Sequence, residues 1–165
     1  MVQRRHGDTD DRTGFDQTKN YLTAAVSRFV PRWLARRAVT ISVDTDRPAY
    51  DAGDPVEITV RLRNRLPLPI EVVTPTRRPW GWAVDGVLEA TDERRYVRDA
   101  QTPVTFRAGE TKTATVTWNG HFRRESGDDL DRSVPADRGE HTVSAFLSVA
   151  DRRPHHEDET RIRIR

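Results

Sequence analysis

The sequence predicts an all-β fold: an immunoglobulin-like antiparallel β-sandwich of seven to nine strands, with an N-terminal amphipathic helix added to it. Three observations carry this expectation. From residue 38 onward apolar residues recur at every second position in short runs, clusters of Gly, Pro and Asp separate those runs, and helical spacing occurs only before residue 38. A period of two sends alternate side chains to opposite faces of a strand, so each run offers one face to a core and one to solvent.

Residues 1–14 mix acidic and basic side chains without periodicity and read as a disordered tail. Over 15–37, Leu22, Ala25, Val26, Phe29, Val30 and Trp33 recur at spacings of three and four, with Lys19, Arg28, Arg32, Arg36 and Arg37 off or beside the stripe. That is an amphipathic helix. Pro31 lacks the N–H that residue 27 would accept, so it breaks or kinks the helix, and Arg36 and Arg37 suit a helix C-terminus. The sandwich domain is predicted over 38–165.

Within it, "VTISVDTD" (39–46) puts Val39, Ile41 and Val43 on one face. "PVEITVRLRN" (55–64) does the same with Val56, Ile58, Val60 and Leu62, and turns Glu57, Thr59, Arg61 and Arg63 outward. Between them "DRPAYDAGD" is a turn cluster. "LPLPIEVV" (66–73) reads as a strand entered through Pro67 and Pro69, which cannot donate ladder bonds. "GWAVDGVLEAT" (81–91) predicts a hairpin through Asp85 and Gly86, a pair suited to tight-turn backbone angles. "TPVTFRAGET" ends in a turn at Ala108 and Gly109, and "TKTATVTW" (111–118) aligns Ala114, Val116 and Trp118. "EHTVSAFLSV" (140–149) aligns His141, Val143, Ala145, Leu147 and Val149, and "ETRIRIR" alternates Ile162 and Ile164 with arginines. The connection 119–139 exceeds the usual length and reads as a functional or mobile loop.

Composition narrows the function classes. The chain of 165 residues has no cysteine, which excludes disulfides, thiolate metal sites and a cysteine nucleophile. Its 28 basic residues are arginines except Lys19 and Lys112, against 26 acidic ones, for a net charge of +2. Residues 1–37 hold eight basic and four acidic residues, leaving twenty and twenty-two for the rest. The basic excess therefore lies at the N-terminal end. No apolar run follows the first arginines and no uncharged stretch approaches the roughly 20 residues of a membrane span, so a soluble, cytoplasmic protein is expected.

The motif order "Y-x-x-G-x-P-V-x-I-x-V-x-x-x-N" (Tyr50 to Asn64), "F-x-x-G-E-T" (Phe106 to Thr111), "T-W-N-G" (Thr117 to Gly120) and "P-A-x-x-G-E-H-T-V-S-A-F-L" (Pro135 to Leu147) resembles the intracellular proteinase inhibitor family of BsuPI type. More specifically, "SVDTDRPAYDAGDPVEITVRLRNRLPLPIEV", "WGWAVDG" and "WNGHFRR" look like an uncharacterised haloarchaeal domain family of the same shape. The resemblance covers 39 to about 150 and implies an immunoglobulin-like sandwich and, from the first family, inhibition of a protease. His141 stands where the inhibitor pattern has tyrosine.

Several constellations are candidates for chemistry. Trp80 and Trp82 share one strand face and could form a stacking surface, although packing with Trp118 in the core is favoured. "HHEDE" (155–159) gathers metal-ligating types without a spaced partner, so a solvated hairpin loop is favoured over a metal site. Asp44, Asp46, Asp51 and Asp54, and likewise Asp128, Asp129 and Asp131, read as turn residues, because neither group has calcium-loop spacing. No nucleophile elbow or phosphate-cradling glycine loop is present, and the expectation is no enzyme, no cofactor and no metal. Nucleic acid is not expected as a partner, since the sandwich carries no net positive charge.

The leading expectation is thus a non-catalytic, protein-binding immunoglobulin-like module. One alternative is a proteinase inhibitor acting through the 119–139 loop, with Phe122, Arg123 and Arg124 as contact residues. Another is a peripheral membrane protein held by 15–37, where Leu22, Val26, Phe29 and Trp33 form the apolar stripe. For that helix, docking on the sandwich is favoured over lying on a membrane.

Overall fold

A computed structural model describes residues 30–75, 79–88, 102–124, 132–149 and 152–165. Helix α1 (Arg32–Ala38) leads directly into β1 (Val39–Thr45), β2 (Ala49–Tyr50), β3 (Val56–Asn64), β4 (Ile70–Thr74), β5 (Trp80–Val84) and β6 (Val87–Leu88). There follow β7 (Thr102–Phe106), β8 (Thr111–Trp118), β9 (His121–Arg124), β10 (Arg132–Pro135), β11 (Gly139–Leu147), a 3₁₀ turn (Pro154–His156) and β12 (Glu157–Ile164).

Strands β1, β3 and β8 form one sheet in that order, and β2, β12, β11, β5 and β6 form the other. Pairing is antiparallel throughout except that β2 runs parallel to β12. The chain therefore leaves the first sheet after β1 and joins the second one through two residues before returning to β3. Strand β1 packs across the core against β11 and β12. Two further antiparallel pairs, β4 with β7 and β9 with β10, complete an immunoglobulin-like β-sandwich.

The core is the alternation made solid. Ile41 and Val43 from β1, and Val56, Ile58, Val60 and Leu62 from β3, are buried against Trp82 and Val84, Val143, Ala145 and Leu147, and Ile162 and Ile164. Each large apolar side chain removed from water contributes about 1.5–3 kcal/mol. Strand β5 is buried at all five positions, because its second face is covered too. There the Phe146 ring lies over Gly81, its cross-strand partner, where a Cβ would meet the ring at 2.5 Å. Asp85 (φ 48°) and Gly86 (φ 79°) form the two-residue turn between β5 and β6, with the left-handed angles that an Asp-Gly pair adopts. On the edge of the first sheet, the Val43 N–H of β1 donates to the Asp158 carboxylate of β12 at 2.9 Å.

Three expectations need correction. Among the described residues α1 begins after Pro31, whose carbonyl accepts from Leu34 and Ala35, so the proline stands where the helix starts. The residues that dock are Ala35 and Ala38, whereas Trp33 is 61% exposed. At about 100° per residue, Trp33 points to the side of α1 away from Ala35. Leu22, Val26 and Phe29 lie outside the described residues, as do Asp128, Asp129 and Asp131.

The second correction is that 119–139 is not one loop. It contains the β9–β10 hairpin, because His121-Phe122 and Val134-Pro135 find each other across an antiparallel register too short to stand out as alternation. Thirdly, "HHEDE" is no solvated loop: His156 is fully buried in the 3₁₀ turn and Glu157 already belongs to β12. Trp80 and Trp82 are 8% and 1% exposed: both rings pack in the core, the arrangement favoured above over a stacking surface.

Candidate functional site

The register separates two ends of the sandwich. At one lie Trp118, Tyr50 and the start of β11; at the other lie α1, the 3₁₀ turn and Asn64. Each end gathers titratable side chains from segments distant in sequence.

The Tyr50 end is closed by its own carboxylates. The Tyr50 hydroxyl donates to Asp46 Oδ1 at 2.6 Å and accepts from the Arg47 N–H at 3.0 Å. Asp46 Oδ1 also accepts from the Glu57 N–H, tying the β1 exit to β3. The Tyr50 hydrogen bond is the main cause holding the Asp46 carboxyl below the usual range, against a small opposing effect of burial. Burial, then Asp46, pushes Tyr50 up. Arg47 pairs with Asp46 and Asp54 and lies over the Tyr50 ring.

In the same end, His141 donates from Nδ1 to Asp85 Oδ2 at 2.6 Å and from Nε2 to the Asp137 carbonyl at 2.7 Å. Both ring nitrogens face acceptors, an arrangement that only the imidazolium satisfies fully. Burial opposes that charge, but the Asp137 carbonyl and the Asp85 carboxylate outweigh it and raise the His141 pKa. Trp118 and Phe122 pack on the imidazole, with ring centroids 6.1 Å away in each case and 5.3 Å from each other. Trp118 Nε1 donates to the His121 carbonyl. Phe122 thus anchors the hairpin instead of reaching outward; Arg123 and Arg124 lie beside it on β9, opposite Ser133 and Arg132.

The opposite end is built differently. Asn64, fully buried, donates to the Leu68 and Arg107 carbonyls and accepts from the Leu66 N–H, which fixes the turns leaving β3 and β7. His156 Nε2 donates to the Arg36 carbonyl at 2.8 Å, and its Nδ1 accepts from the Arg153 N–H at 3.1 Å. One neutral imidazole therefore joins α1 to the 3₁₀ turn across a sequence separation of 120 residues.

That join creates a cleft of about 320 Å³ lined by Trp33, Arg36, Arg37 and Arg153. Among the described residues no carboxylate lines it. The Arg37 guanidinium lies 6.0 Å from the Trp33 ring centroid. Next to it, His155 meets His156 edge to face at 4.1 Å, and its Nε2 is buried without a hydrogen-bond partner. Burial pushes the His155 pKa down, and His156, Arg153, Arg65 and Arg37 push it further. Three arginines and the histidine pair thus gather at this end.

Sequence reasoning singled out Trp33 as an apolar anchor and placed Arg36 and Arg37 at a helix end, but it did not bring Arg153 to them. Nor did it find the His141 and His156 clamps. Among the described residues no group of three or more His, Asp or Glu side chains is placed to hold a metal ion, and no helix is long and apolar enough to cross a membrane.

Among solved structures, the CARDB domain of a Pyrococcus furiosus protein, determined in complex with di-metal ions, is similar at a TM-score of 0.47 and 12% identity, covering 76% of this chain and 91% of that one. A β-glucosidase of Erythrobacter marinus is similar at a TM-score of 0.45 and 14% identity over 77% of this chain, which spans 15% of the enzyme. A β-glucosidase of Listeria innocua, in complex with gluconolactone, gives 0.42 and 17% over 76% of this chain and 16% of that one. No curated protein matches the sequence significantly. The sequence itself matches a described family over residues 27–165, a span that takes in α1, the cleft and the whole sandwich, and the chain belongs to that family, the family of unknown function DUF7974.

Proposed function

We propose that the chain is a non-catalytic immunoglobulin-like module that binds another protein in the cytoplasm, with the α1 and 3₁₀ end as its docking face. The observation that carries this reading is Trp33, 61% exposed beside three arginines at a concave surface. Tryptophan and arginine are the residue types that most often dominate binding energy at protein interfaces. The partner surface that fits is acidic. The shifted side chains elsewhere, Asp46, Tyr50 and His141, are engaged in the fold's own hydrogen bonds, which supports a binding role over a catalytic one.

A photo-crosslinking residue at position 33, compared with one at the exposed Thr113 of β8, tests the reading in native extract. A discrete adduct from position 33 alone, lost when Arg36 and Arg37 are changed to Glu, is the expected result. Equal labelling from both positions rejects it.

A second reading, proteinase inhibition as the BsuPI resemblance implies, is favoured by the anchoring of the β9–β10 hairpin through Phe122 on Trp118 and His141. A rigid stem lowers the ordering cost of inserting a segment into a cleft. Inhibition of any member of a protease panel at micromolar concentration, abolished by Arg123→Ala and Arg124→Ala together, supports it. No inhibition across the panel removes it.

A further inference from the structure

We propose that β8 is the pairing edge of a symmetric dimer. The β8 strands of two copies of this chain join antiparallel, centred on Thr115, and merge their β1-β3-β8 sheets into one. This goes beyond the docking face at α1, uses a different surface, and stands or falls separately from it.

The alternation of ladder bonds decides which backbone groups are free. The Asn64 N–H donates to the Glu110 carbonyl, and Asn64 opposite Glu110 continues the β3–β8 register. Bonded and non-bonded positions alternate along an antiparallel pair, so Lys112, Ala114, Val116 and Trp118 are the residues that bond to β3. Thr113, Thr115 and Thr117 therefore turn their N–H and C=O groups away from it. Among the described residues nothing takes those groups up. The same three threonines are exposed, so a strand can reach them from that side.

An outer strand is ordinarily kept short, or blocked by proline, a bulge or a charge. The outer strands of the two larger sheets are β1 and β8, and β2 and β6. Strands β2 and β6 have only two residues each, and the Val43 N–H of β1 is already taken by Asp158. Strand β8 runs for eight residues without glycine or proline. Its one charge, Lys112, lies near its start, paired with Glu110 and placed over the Phe106 ring.

The strand is also complementary to itself. With Thr115 of each copy face to face, Thr113 stands opposite Thr117 of the second copy, and Ala114 opposite Val116. Ala114 and Val116 are only partly buried at the margin of the core, and the joint extends that core across both copies. Threonine pairs and apolar pairs across strands each favour pairing. On the outer face, β3 sets Arg61 beside Thr113 and Glu57 beside Thr117. The dimer thus places Arg61 of one copy and Glu57 of the other at the two ends of one cross-strand row, and it keeps the two Lys112 side chains at opposite ends of the joint. A two-fold contact of this kind closes on itself, so assembly stops at two copies.

Because the chain has no cysteine, a single introduced thiol reads the register. Thr115→Cys puts two thiols on the two-fold axis, where the Cα atoms of a bonded pair lie about 5.5 Å apart, within disulfide reach. The expected result with oxidised glutathione is a disulfide-linked dimer from Thr115→Cys and none from Arg61→Cys on β3. Sedimentation of the native full chain is expected to show a reversible monomer–dimer equilibrium at micromolar concentration. Thr115→Pro removes an N–H that the fold does not use, so it should weaken dimerisation by more than about tenfold and leave the monomer folded. Thr115→Lys sets like charges face to face and should do the same if the proline disturbs the strand. The proposal is overturned if the native chain stays monomeric, if association continues past two copies, or if both variants dimerise as the native chain does. It is equally overturned if Thr115→Cys crosslinks in native extract to another protein in place of a second copy. A photo-adduct from position 113 with a second copy has twice the mass of the chain, which separates it from the partner adduct of position 33, so either reading can fail without the other.

Discussion

The two ends of the sandwich use the same side-chain types to opposite effect. At the Tyr50 end, Arg47 and His141 are each held by a carboxylate of the chain, and an aromatic cluster closes over the imidazole. At the α1 end, a histidine locks two backbone segments together and three arginines are left facing a cleft. One arrangement consumes its polar groups in holding strands in place. The other uses a single buried imidazole for that purpose and sets its arginines around a concave surface beside an exposed tryptophan, which teaches that polar side chains of the same kinds can close one end of a sandwich and shape the surface of the other.

The largest expected effect tests the histidine lock. His156→Ala leaves the Arg36 carbonyl and the Arg153 N–H without their partner in a fully buried place and opens a cavity there, so a loss of about 2–4 kcal/mol is expected in chemical denaturation. If stability is unchanged, the cleft is not held by His156 and the contrast between the ends fails.

The next concerns pH. His141 has a folded pKa raised above its unfolded value, so its stabilisation is complete below about 6.5 and is lost as pH rises through the folded pKa. Asp46 is lowered on folding, so its contribution is present above about 3.9 and disappears as pH falls through its folded value. Denaturation midpoints should therefore decline on both sides of a plateau. Asp85→Asn, which tolerates the left-handed angle at that turn, should flatten the alkaline decline while leaving the acid one.

Smaller still is the difference between two buried indoles. Trp118 Nε1 donates to the His121 carbonyl, whereas Trp82 Nε1 has no partner. Trp118→Phe should cost about 1 kcal/mol more than Trp82→Phe, because only the first loses a hydrogen bond and leaves a carbonyl unpaired. The smallest effect is Arg61→Ala: its pair with Asp44 lies on the exposed face of the first sheet, and a change within about 0.5 kcal/mol is expected.

Much of the fold was legible because burial imposes period two wherever one strand face is covered. Val56, Ile58, Val60 and Leu62 could be assigned inward from spacing alone, and Asp85-Gly86 marked its turn through backbone angles few other pairs accept. The β9–β10 hairpin was missed because four-residue strands holding one or two apolar residues carry too little periodicity. Pro31 marked an interruption but not the start of α1: the same missing N–H that interrupts a helix also suits its first turn, and spacing cannot separate the two. The polar clamps were illegible because their partners meet only after folding. His141 with Asp85, and His156 with Arg36, are set by sheet register and by the docking of α1, and the residues near them in sequence give no sign of either. The cleft was half visible: Trp33, Arg36 and Arg37 stood together, and Arg153 needed the fold to arrive.

The hydrogen bond from the Val43 N–H to Asp158 has a consequence for how the protein behaves in a crowded solution. An outer strand with free backbone donors is a template on which another chain can grow a sheet, and such growth leads to swapped dimers and fibrils. Here a carboxylate of the chain already occupies one donor on β1, and a charge stands where an incoming strand would have to lie. Asp158 thus takes up one edge donor of β1 as well as bracing the two sheets, and Asp158→Ala is expected to raise sheet-mediated self-association, read by light scattering on incubation, before it costs much of the fold.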